Sequence, residues 1–328
     1  MTGSNPPLVS IVTPSLDQAR FIYASIRSVA SQTYPRIEHI VVDGGSTDGT
    51  LDILRHSEAM HGVTWDSRTD AGMYDALNRG FAKAKGDIFA YLNADDFYFP
   101  WAVEVAVAAL ERGPDLVYGD ALILDEATGK LRPHFQLAFS LEYLLTVGSF
   151  AQPATFWRRE LHERVGGFDA RYRSAGDLDF FIRASSAGSV AHIDEMLAVM
   201  RRHPAMQTIA QANRIRSENA AVRAAHGQRG AGATMRQRVR AYLQRRRAWL
   251  RFLLATVRGD SPTGWPRFRA LRPSVNWPRA IVGQVPRLGP GLLEGSIDFT
   301  DRSFRLLRDP PPCLGSGAHD HSGTPPRP

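Results

Sequence analysis

The sequence has 328 residues, 43% hydrophobic and 22% charged, which suffices for one large domain or for a domain with an appendage. Its single cysteine, Cys313, excludes an intramolecular disulfide framework and a cysteine-based zinc site. No stretch approaches 18 uninterrupted apolar residues, and the N-terminus lacks the basic and apolar regions of a signal peptide, so we expect neither a spanning helix nor a leader. The expected compartment is the cytoplasm.

Charge divides the chain into two parts. Residues 1–200 hold 17 Lys and Arg against 26 Asp and Glu, whereas residues 201–328 hold 23 Arg, no Lys and 7 Asp and Glu. Such asymmetry indicates segments with different physical roles. We therefore predict a first domain over residues 1–204, a helical Arg-rich extension over 205–260 and a Pro/Gly-rich region over 261–328. The last part, from about residue 310, is expected to be disordered.

Strands and helices alternate along the first part of the chain. Strands are predicted at Leu8–Thr13, Ile37–Val42, Val63–Ser67, Ile88–Leu92, Asp115–Tyr118 and within Val190–Val199, and helices at Gln18–Gln32, Met73–Lys85, Trp101–Glu111 and Gly176–Ala187. Ser46 is the expected cap of a further helix through Leu51 and Leu54. Continuous apolar strands separated by helices indicate an α/β fold with a mainly parallel sheet covered on both faces.

Ligands in such sheets bind beyond the carboxyl ends of the strands, where Asp43 and Asp95 fall. Asp43 opens the turn GGSTDG, whose backbone can approach an anion while the carboxylate meets a ribose or a base. The dinucleotide fingerprint GxGxxG is absent, and an ordinary turn with a solvated aspartate is the alternative.

Two further acidic segments carry candidate chemistry. In WDSRTDAGMYDALNRG, Arg68 has a planar guanidinium suited to a diphosphate, although Asp75 and Arg79 more simply form an exposed i,i+4 pair. In Asn93-Ala94-Asp95-Asp96, the oxygen ligands suit a divalent cation that shares its other ligands with a nucleotide. A solvated acidic turn explains the second segment equally well.

Asp177 begins a predicted helix in GDLDFF. A carboxylate beside apolar residues can have a raised pKa and act as a general base. The helix dipole opposes that shift, and an N-cap is the simpler interpretation of this stretch alone.

Taken together, three long segments resemble family 2 glycosyltransferases of the GT-A fold. They are VSIVTPSLDQARFIYASIRSVASQTYPRIEHIVVDGGSTDGT over 9–50, DAGMYDALNRGFAKAKGDIFAYLNADD over 70–96 and QPATFWRRELHERVGGFDARYRSAGDLDFFIR over 152–183. The resemblance covers about residues 8–205. It implies a Rossmann-like, mainly parallel sheet flanked by helices, followed here by the helical basic extension.

The resemblance also implies roles for individual residues. Thr13, Pro14 and Ser15 would line the nucleotide site, and Asp43 would bind the nucleoside with Asp70 and Arg68 nearby. Asp95 would be the main protein ligand of Mg²⁺ or Mn²⁺, Asn93 would occupy the first place of the D-x-D motif, and Asp96 would face the donor sugar or orient the loop. Asp177 would be the catalytic base, with Asp179 as the alternative, and Gln152 would precede the acceptor region. His203 would reach the metal or diphosphate, or else be a surface residue after a strand.

By the same resemblance, the chain is expected to be an inverting glycosyltransferase with a nucleotide-sugar donor, a UDP-sugar being favoured. The acceptor would be a glycan or a lipid-linked molecule in cell-surface polysaccharide or glycolipid biosynthesis. The QxxRW signature of processive polysaccharide synthases is missing, which argues for transfer of one or a few sugars. Asn93, where the family often has Asp, leaves open a catalytically weakened domain that serves as a binding or scaffold module.

The basic extension alternates apolar residues and arginines at helical spacing over 234–258. One interpretation is binding to an anionic membrane surface, which would hold the protein peripherally at the inner face of the cell membrane. The other is packing of the apolar side on the catalytic domain or a second subunit. Nucleic acid is not an expected partner, because no aromatic interleaving or known module supports it.

Overall fold

The computed structural model describes residues 5–146, 148–204, 206, 211–227, 235, 239, 242–250, 297–298 and 305–306. The strands are β1 (Val9–Ser15), β2 (Ile37–Asp43), β3 (Thr64–Ser67), β4 (Ile88–Tyr91), β5 (Phe97–Tyr98), β6 (Leu116–Asp125), β7 (Lys130–His134), β8 (Thr155–Arg158), β9 (Val190–Arg202), β10 (Ile297–Asp298) and β11 (Arg305–Leu306). The helices are α1 (Ile22–Ala30), α2 (Thr50–His61), α3 (Met73–Lys83), α4 (Ala102–Leu110), α5 (Leu141–Thr146), α6 (Arg159–Val165), α7 (Gly176–Ala187) and α8 (Ala212–Ala225). Residues 242–250 are also helical.

A nine-stranded sheet organises the domain in the order β3-β2-β1-β4-β8-β6-β9-β5, with β7 paired to β6. The pairs within β3-β2-β1-β4 are parallel, and so is the pair β6-β9, while β8 is antiparallel to both of its neighbours. Parallel pairing brings the carboxyl ends of β1, β2 and β4 to the same edge. The polar residues that follow these strands therefore share one side of the sheet.

Apolar side chains cover both faces of the sheet, as the predicted continuous hydrophobic strands require. All seven residues of β1 and all four of β4 are buried. One core cluster contains the buried side of α4, a second contains the buried sides of α3 and α7, and a third joins α1 to α2. Both faces of the sheet are therefore buried, and the polar residues lie where the strands end.

Helix α8 lies beyond the predicted first domain but is built into it. Val222 is fully buried in the core cluster that contains α7. Arg223 donates hydrogen bonds to the carbonyl oxygens of Leu144 and Gly148 at 3.1 and 2.9 Å. His226, just after the helix, lies 2.8 Å from a carboxylate oxygen of Asp179. These contacts attach α8 to the core.

Several local predictions were wrong. Ser46 does not cap α2, which starts at Thr50 after Gly49; its hydroxyl instead donates to Asp43. The expected pair between Asp75 and Arg79 is replaced, because Arg79 binds Asp66 at 2.7 Å.

The segment 120–160, which shows little pattern in sequence, contains the rest of β6 together with β7, α5 and β8. Of the predicted extension over 205–260, the described residues are 206, 211–227, 235, 239 and 242–250, and the tail from residue 310 lies outside the described residues. Within this described part, no helix is both long and apolar enough to cross a membrane.

Candidate active site

A cavity of about 350 Å³ opens at the carboxyl ends of β1 and β4. Nine residues predicted for the site line it: Pro14, Ser15, Asp70, Asn93, Asp95, Asp96, Gln152, Asp177 and His203. These residues come from segments spread over 190 positions of the chain and meet because parallel strands deliver their ends to one edge. The cavity is therefore the candidate active site.

Asp43 stabilises the turn after β2 through hydrogen bonds of its carboxylate. Its side chain is fully buried, and Oδ2 accepts hydrogen bonds from the backbone N–H groups of Gly45 and Ser46 at 3.0 and 2.8 Å and from the Ser67 hydroxyl at 2.6 Å. Oδ1 accepts from the Ser46 hydroxyl. Asp43 lies outside the described cavity wall, and its nucleoside-binding role stays a prediction.

Thr13 and Arg68 also lie outside the described cavity wall. The Thr13 hydroxyl is 2.9 Å from Nε2 of His39, a buried residue whose pKa is lowered to about 3 by loss of hydration. Arg68 is mostly exposed and lies 3.7 Å from Asp66. Thr13 thus belongs to the packing beneath the site, whereas Arg68 lies at the surface.

Asn93 is fixed by a chain of amide hydrogen bonds. Its Nδ2 donates to Oε1 of Gln152 at 3.0 Å, and Nε2 of Gln152 donates to the carbonyl oxygen of Tyr91 at 2.6 Å. Among the described residues, Oδ1 of Asn93 is buried without a hydrogen-bond partner. A buried unpaired oxygen on a cavity wall is a group that a ligand can satisfy.

Asp95 and Asp96 have different environments despite being adjacent. Oδ2 of Asp95 lies 3.1 Å from Nε2 of His203. Asp96 is almost completely buried, and Oδ1 accepts the backbone N–H of Arg201 at 2.8 Å. Burial and then the neighbouring Asp95 charge raise the pKa of Asp96 well above its usual value. Of the two, Asp95 is the carboxylate free to meet a cation, and Asp96 orients the loop against β9.

His203 is buried rather than exposed. Its imidazole packs against Phe21 with ring centroids 4.5 Å apart and ring planes tilted by 34°, and the Arg201 guanidinium lies over the same Phe21 ring at 5.2 Å. Phe21 therefore fixes the imidazole beside Asp95. The alternative of a surface residue after a strand does not describe this environment.

Asp177 faces the cavity from the first turn of α7. Its Oδ1 accepts the hydroxyl of Tyr74 at 3.3 Å and the backbone N–H of Leu178 at 2.8 Å. Burial raises the pKa of Asp177, and the two hydrogen bonds act against that rise. A carboxylate with a raised pKa that is held by a buried tyrosine is suited to taking a proton.

Asp179, the alternative base, points into a different environment. Oδ2 accepts two hydrogen bonds from the Arg183 guanidinium at 2.8 and 2.7 Å, and Oδ1 lies 2.8 Å from His226. It is buried and, in the described part of the chain, lies outside the cavity wall. These contacts tie α7 to the segment after α8.

Fourteen residues that line the cavity were not predicted from the sequence, among them Tyr74, Tyr91 and Ile215. Tyr74 shares a helix face with Leu77 and Phe81, and this apolar spacing in α3 was a usable signal. Ile215 lies in α8, beyond the resembling segments. No local pattern connects it to the site.

The cavity wall offers a small set of ligand atoms for a divalent cation. No group of three or more His, Cys, Asp or Glu side chains suited to a metal occurs within the described ranges. Asp95, His203 and the unpaired Oδ1 of Asn93 nevertheless supply one imidazole and two oxygen ligands to a single cavity. Cations bound with nucleotides take one or two protein ligands and complete their shell with phosphate and water, so these residues fit such an ion.

The helical residues 242–250 contact the domain on one side only. Ala248 is buried in the core cluster that contains α4, and the Arg245 guanidinium lies 3.3 Å from the Tyr143 hydroxyl. Tyr242, Leu243, Trp249 and Leu250 remain 40–61% exposed. The buried side agrees with packing on the catalytic domain, and the exposed apolar residues leave a surface on which a membrane could bind.

Solved structures with the same fold include S. aureus TarS 1–349 in complex with UDP-GlcNAc, at a TM-score of 0.53 and 19% identity, covering 60% of this chain and 59% of that one. The mannosyltransferase PcManGT from Pyrobaculum calidifontis, in complex with GDP-Man and Mn²⁺, matches at a TM-score of 0.51 and 21% identity, covering 70% and 67%. The chain spans only 37% of the longer TarS chain. The fold is thus the GT-A type, a Rossmann-like α/β fold.

Sequence comparison adds the family. Residues 10–176 match the family described as glycosyl transferase family 2. A PGL/p-HBAD biosynthesis glycosyltransferase of Mycobacterium tuberculosis is 38% identical over 187 residues, which cover 55% of this chain and 70% of that protein. The chain belongs to glycosyltransferase family 2, and the family resemblance seen in the sequence is confirmed.

Proposed function

We propose that this glycosyltransferase is an inverting enzyme that moves a sugar from a nucleotide-diphosphate donor, with a UDP-sugar as first candidate, to a hydroxyl group of a glycan or lipid-linked acceptor. The observation that carries the proposal is one cavity holding both the Asp95–His203 pair and Asp177 with Tyr74. The first pair suits a cation and diphosphate, and the second suits proton removal. The proposed setting is cell-surface polysaccharide or glycolipid biosynthesis.

The donor half of the cavity comprises Pro14, Ser15 and Asp70 beside Asp95. Asp95 and His203 would hold Mg²⁺ or Mn²⁺, with Asn93 as the neutral third group. When bound, the cation supplies positive charge that stabilises the departing diphosphate. Solved structures of the same fold were obtained with UDP-GlcNAc and with GDP-Man and Mn²⁺, which supports the proposed donor class.

Asp177 would take the proton of the acceptor hydroxyl. Because Tyr74 and Leu178 both bind Oδ1, we assign Oδ2 to accepting that proton. The acceptor oxygen forms a bond to the anomeric carbon from the face opposite the diphosphate, whose bond to that carbon breaks and which leaves with the electron pair. One displacement inverts the anomeric centre.

Asp179 is assigned a structural role, because Arg183 and His226 occupy its oxygens. The alternative of a binding or scaffold module has no supporting observation here. That alternative is based on Asn93, which has no charge. The Asn93 amide donates a hydrogen bond to Gln152, and the carboxylates of Asp95 and Asp177 both line the cavity.

The test is a panel of nucleotide sugars assayed for binding and for metal-dependent nucleotide release. We expect one donor to be consumed, and Asp177→Asn to lower kcat by about 10²–10⁴-fold, since a positioned base contributes that much. Asp95→Asn should raise the concentration of Mn²⁺ needed for half-maximal donor binding. Glu160→Gln, an exposed charge change on α6, is the matched control.

Two results would contradict the proposal. One is binding of no nucleotide sugar in the presence of Mg²⁺ or Mn²⁺. The other is full activity of Asp177→Asn, which would remove the base assignment while leaving the family membership intact.

We also propose that helical residues 242–250 bind an anionic membrane surface. Arg245, Arg246 and Arg247 are exposed beside Tyr242, Leu243, Trp249 and Leu250, which also stay exposed. Basic and large apolar side chains on one short helix suit the interface of an anionic bilayer. Ala248 holds the segment on the catalytic domain, so the enzyme would face a lipid-linked acceptor.

A further inference from the structure

We propose that Glu218 of α8 is a positioning residue for Asp177. The inference rests on the proposed role of Asp177 as base, and it assigns part of the active-site machinery to a helix outside the matched family segment 10–176. Glu218 does not line the cavity in the described structure. It acts on the backbone that precedes α7.

The Glu218 carboxylate binds three successive backbone N–H groups. Oε2 accepts from Arg173 at 3.1 Å, from Ser174 at 2.8 Å and from Ala175 at 3.1 Å. Ala175 is the N-cap residue of α7 and has no side-chain cap of its own. Asp177 follows two residues later, so Glu218 supplies, from another helix, the acceptor that helix starts normally obtain locally.

The start of α7 has little room to move. A Cβ atom on Gly176 would lie 2.8 Å from the ring of Tyr74, so glycine backbone packs directly on the tyrosine. The hydroxyl of the same tyrosine binds Asp177. A small shift of residues 173–175 would therefore change the distance between Tyr74 and Asp177 as well as the exposure of the carboxylate to water.

Glu218 is itself held on a rigid element. Val222, one turn further along α8, is fully buried, and His226 binds Asp179 of α7. Ile215, almost one turn earlier, lines the cavity. One face of α8 thus contacts the core, the start of α7 and the cavity.

The segment held by Glu218 also reaches the donor side. The Arg173 guanidinium donates to the carbonyl oxygen of Ala71, beside the cavity residues Asp70 and Gly72. Gly72 has φ +121°, and a Cβ there would lie 2.8 Å from the guanidinium, so only glycine fits this approach. Residues 173–175 therefore bridge the two halves of the site.

The groups that act on the pKa of Asp177 come from two elements. The Tyr74 hydroxyl on α3 and the backbone N–H of Leu178 on α7 both lower it, against the effect of burial. The charge of Asp177 in turn contributes to the raised pKa of Tyr91 on β4. Glu218 adds a negative charge close to the positive end of the α7 dipole. Loss of Glu218 would remove that charge and admit water, and both changes lower the pKa of Asp177.

The test compares Glu218→Ala and Glu218→Gln with Ser217→Ala, an exposed neighbour on α8. We expect Glu218→Ala to lower kcat about 10- to 100-fold, the scale of a misplaced catalytic group, with the donor KM within about twofold of wild type. The acid limb of its kcat–pH profile should move to lower pH. Glu218→Gln keeps one acceptor oxygen and should lose about threefold, because charge-assisted hydrogen bonds are stronger. Ser217→Ala should match wild type.

An unchanged kcat and acid limb in Glu218→Ala would overturn the proposal, as would a uniform loss at all pH values, which indicates only a smaller folded fraction. If the alanine variant does not fold, the same two readouts in Glu218→Gln decide.

The carboxyl pKa of Asp177, followed by NMR with ¹³C-labelled aspartate, is independent of activity. A lowered pKa in an enzyme that consumes no nucleotide sugar would reject the proposed function and retain the role of Glu218. If the enzyme transfers sugar but the Glu218 variants keep the wild-type kcat and pKa of Asp177, the proposed function is retained and the role of Glu218 is rejected.

Discussion

Tyr74 and Asp177 lie 3.3 Å apart, from hydroxyl to Oδ1, in the wall of the cavity. The tyrosine is buried to 2% exposure, and its hydrogen bond favours the ionised carboxylate, whose pKa burial raises. In the proposed mechanism Asp177 must be ionised to accept the proton, so kcat should rise with pH through the pKa of Asp177. We therefore expect the tyrosine hydroxyl to extend activity toward lower pH.

Replacing Tyr74 by Phe tests this contact. Without the hydroxyl the carboxylate loses a donor, so its pKa rises further and the acid limb of the kcat–pH profile moves to higher pH. This direction is opposite to that expected for Glu218→Ala. Tyr23→Phe, on α1, is the control, and an acid limb that stays in place or moves to lower pH would show that Tyr74 does not bind the ionised base.

Individual residues also show differences that the strand pattern does not contain. Asp43 and Asp95 both follow apolar strands, and this pattern alone does not distinguish them. In the structure Asp43 is enclosed by Gly45, Ser46 and Ser67, whereas Asp95 meets His203 from 108 residues away. The neighbours in space decide which of the two carboxylates can meet a ligand. The turn after β2 supplies neighbours of Asp43, and the residue that follows β9 supplies the neighbour of Asp95.

At the level of elements, α8 is the unexpected member of the domain. The change in charge near residue 200 predicted a boundary at 204, but Val222 and Arg223 of α8 pack on α5 and α7. We infer that the catalytic unit runs at least to the end of α8.

A single buried side chain can test that boundary. Val222→Ala should destabilise the main unfolding transition by about 2 kcal/mol, because it removes buried methyl groups from the core shared with α7. Chemical denaturation followed by intrinsic fluorescence, which includes the buried Trp157, measures the effect. Ala220→Ser, exposed on the same helix, should change stability by about 0.5 kcal/mol or less. Loss confined to a separate minor transition would argue that α8 is an independent extension.

For the whole molecule, the distribution of charge predicts how the enzyme meets its acceptor. A triple variant, Arg245→Gln with Arg246→Gln and Arg247→Gln, should weaken binding to vesicles containing anionic lipid about 100-fold, since each basic residue at such a surface contributes roughly 1 kcal/mol. Flotation at low and high salt measures it, and wild-type binding should fall with salt.

A second triple variant serves as the control for net charge. It carries glutamine at Arg55, Arg112 and Arg171, which are exposed on other surfaces. Equal loss of binding in both variants would indicate a general charge effect and no site at residues 242–250.

The sequence predicts the family, the α/β fold and nine of the residues that line the cavity, including Asp95, Gln152 and Asp177. The fold follows from apolar runs and the polar residues at their ends, whereas the family and the site residues follow from the resemblance of three long segments to that family. The folded structure was needed to show that Asp43 is enclosed, that His203 packs against Phe21 beside Asp95, and that Tyr74 and Glu218 hold the start of α7. Apart from the contacts of Asp43 with Gly45 and Ser46, these contacts join residues 24 to 182 positions apart. No local periodicity records which side chains a folded sheet and its helices bring together.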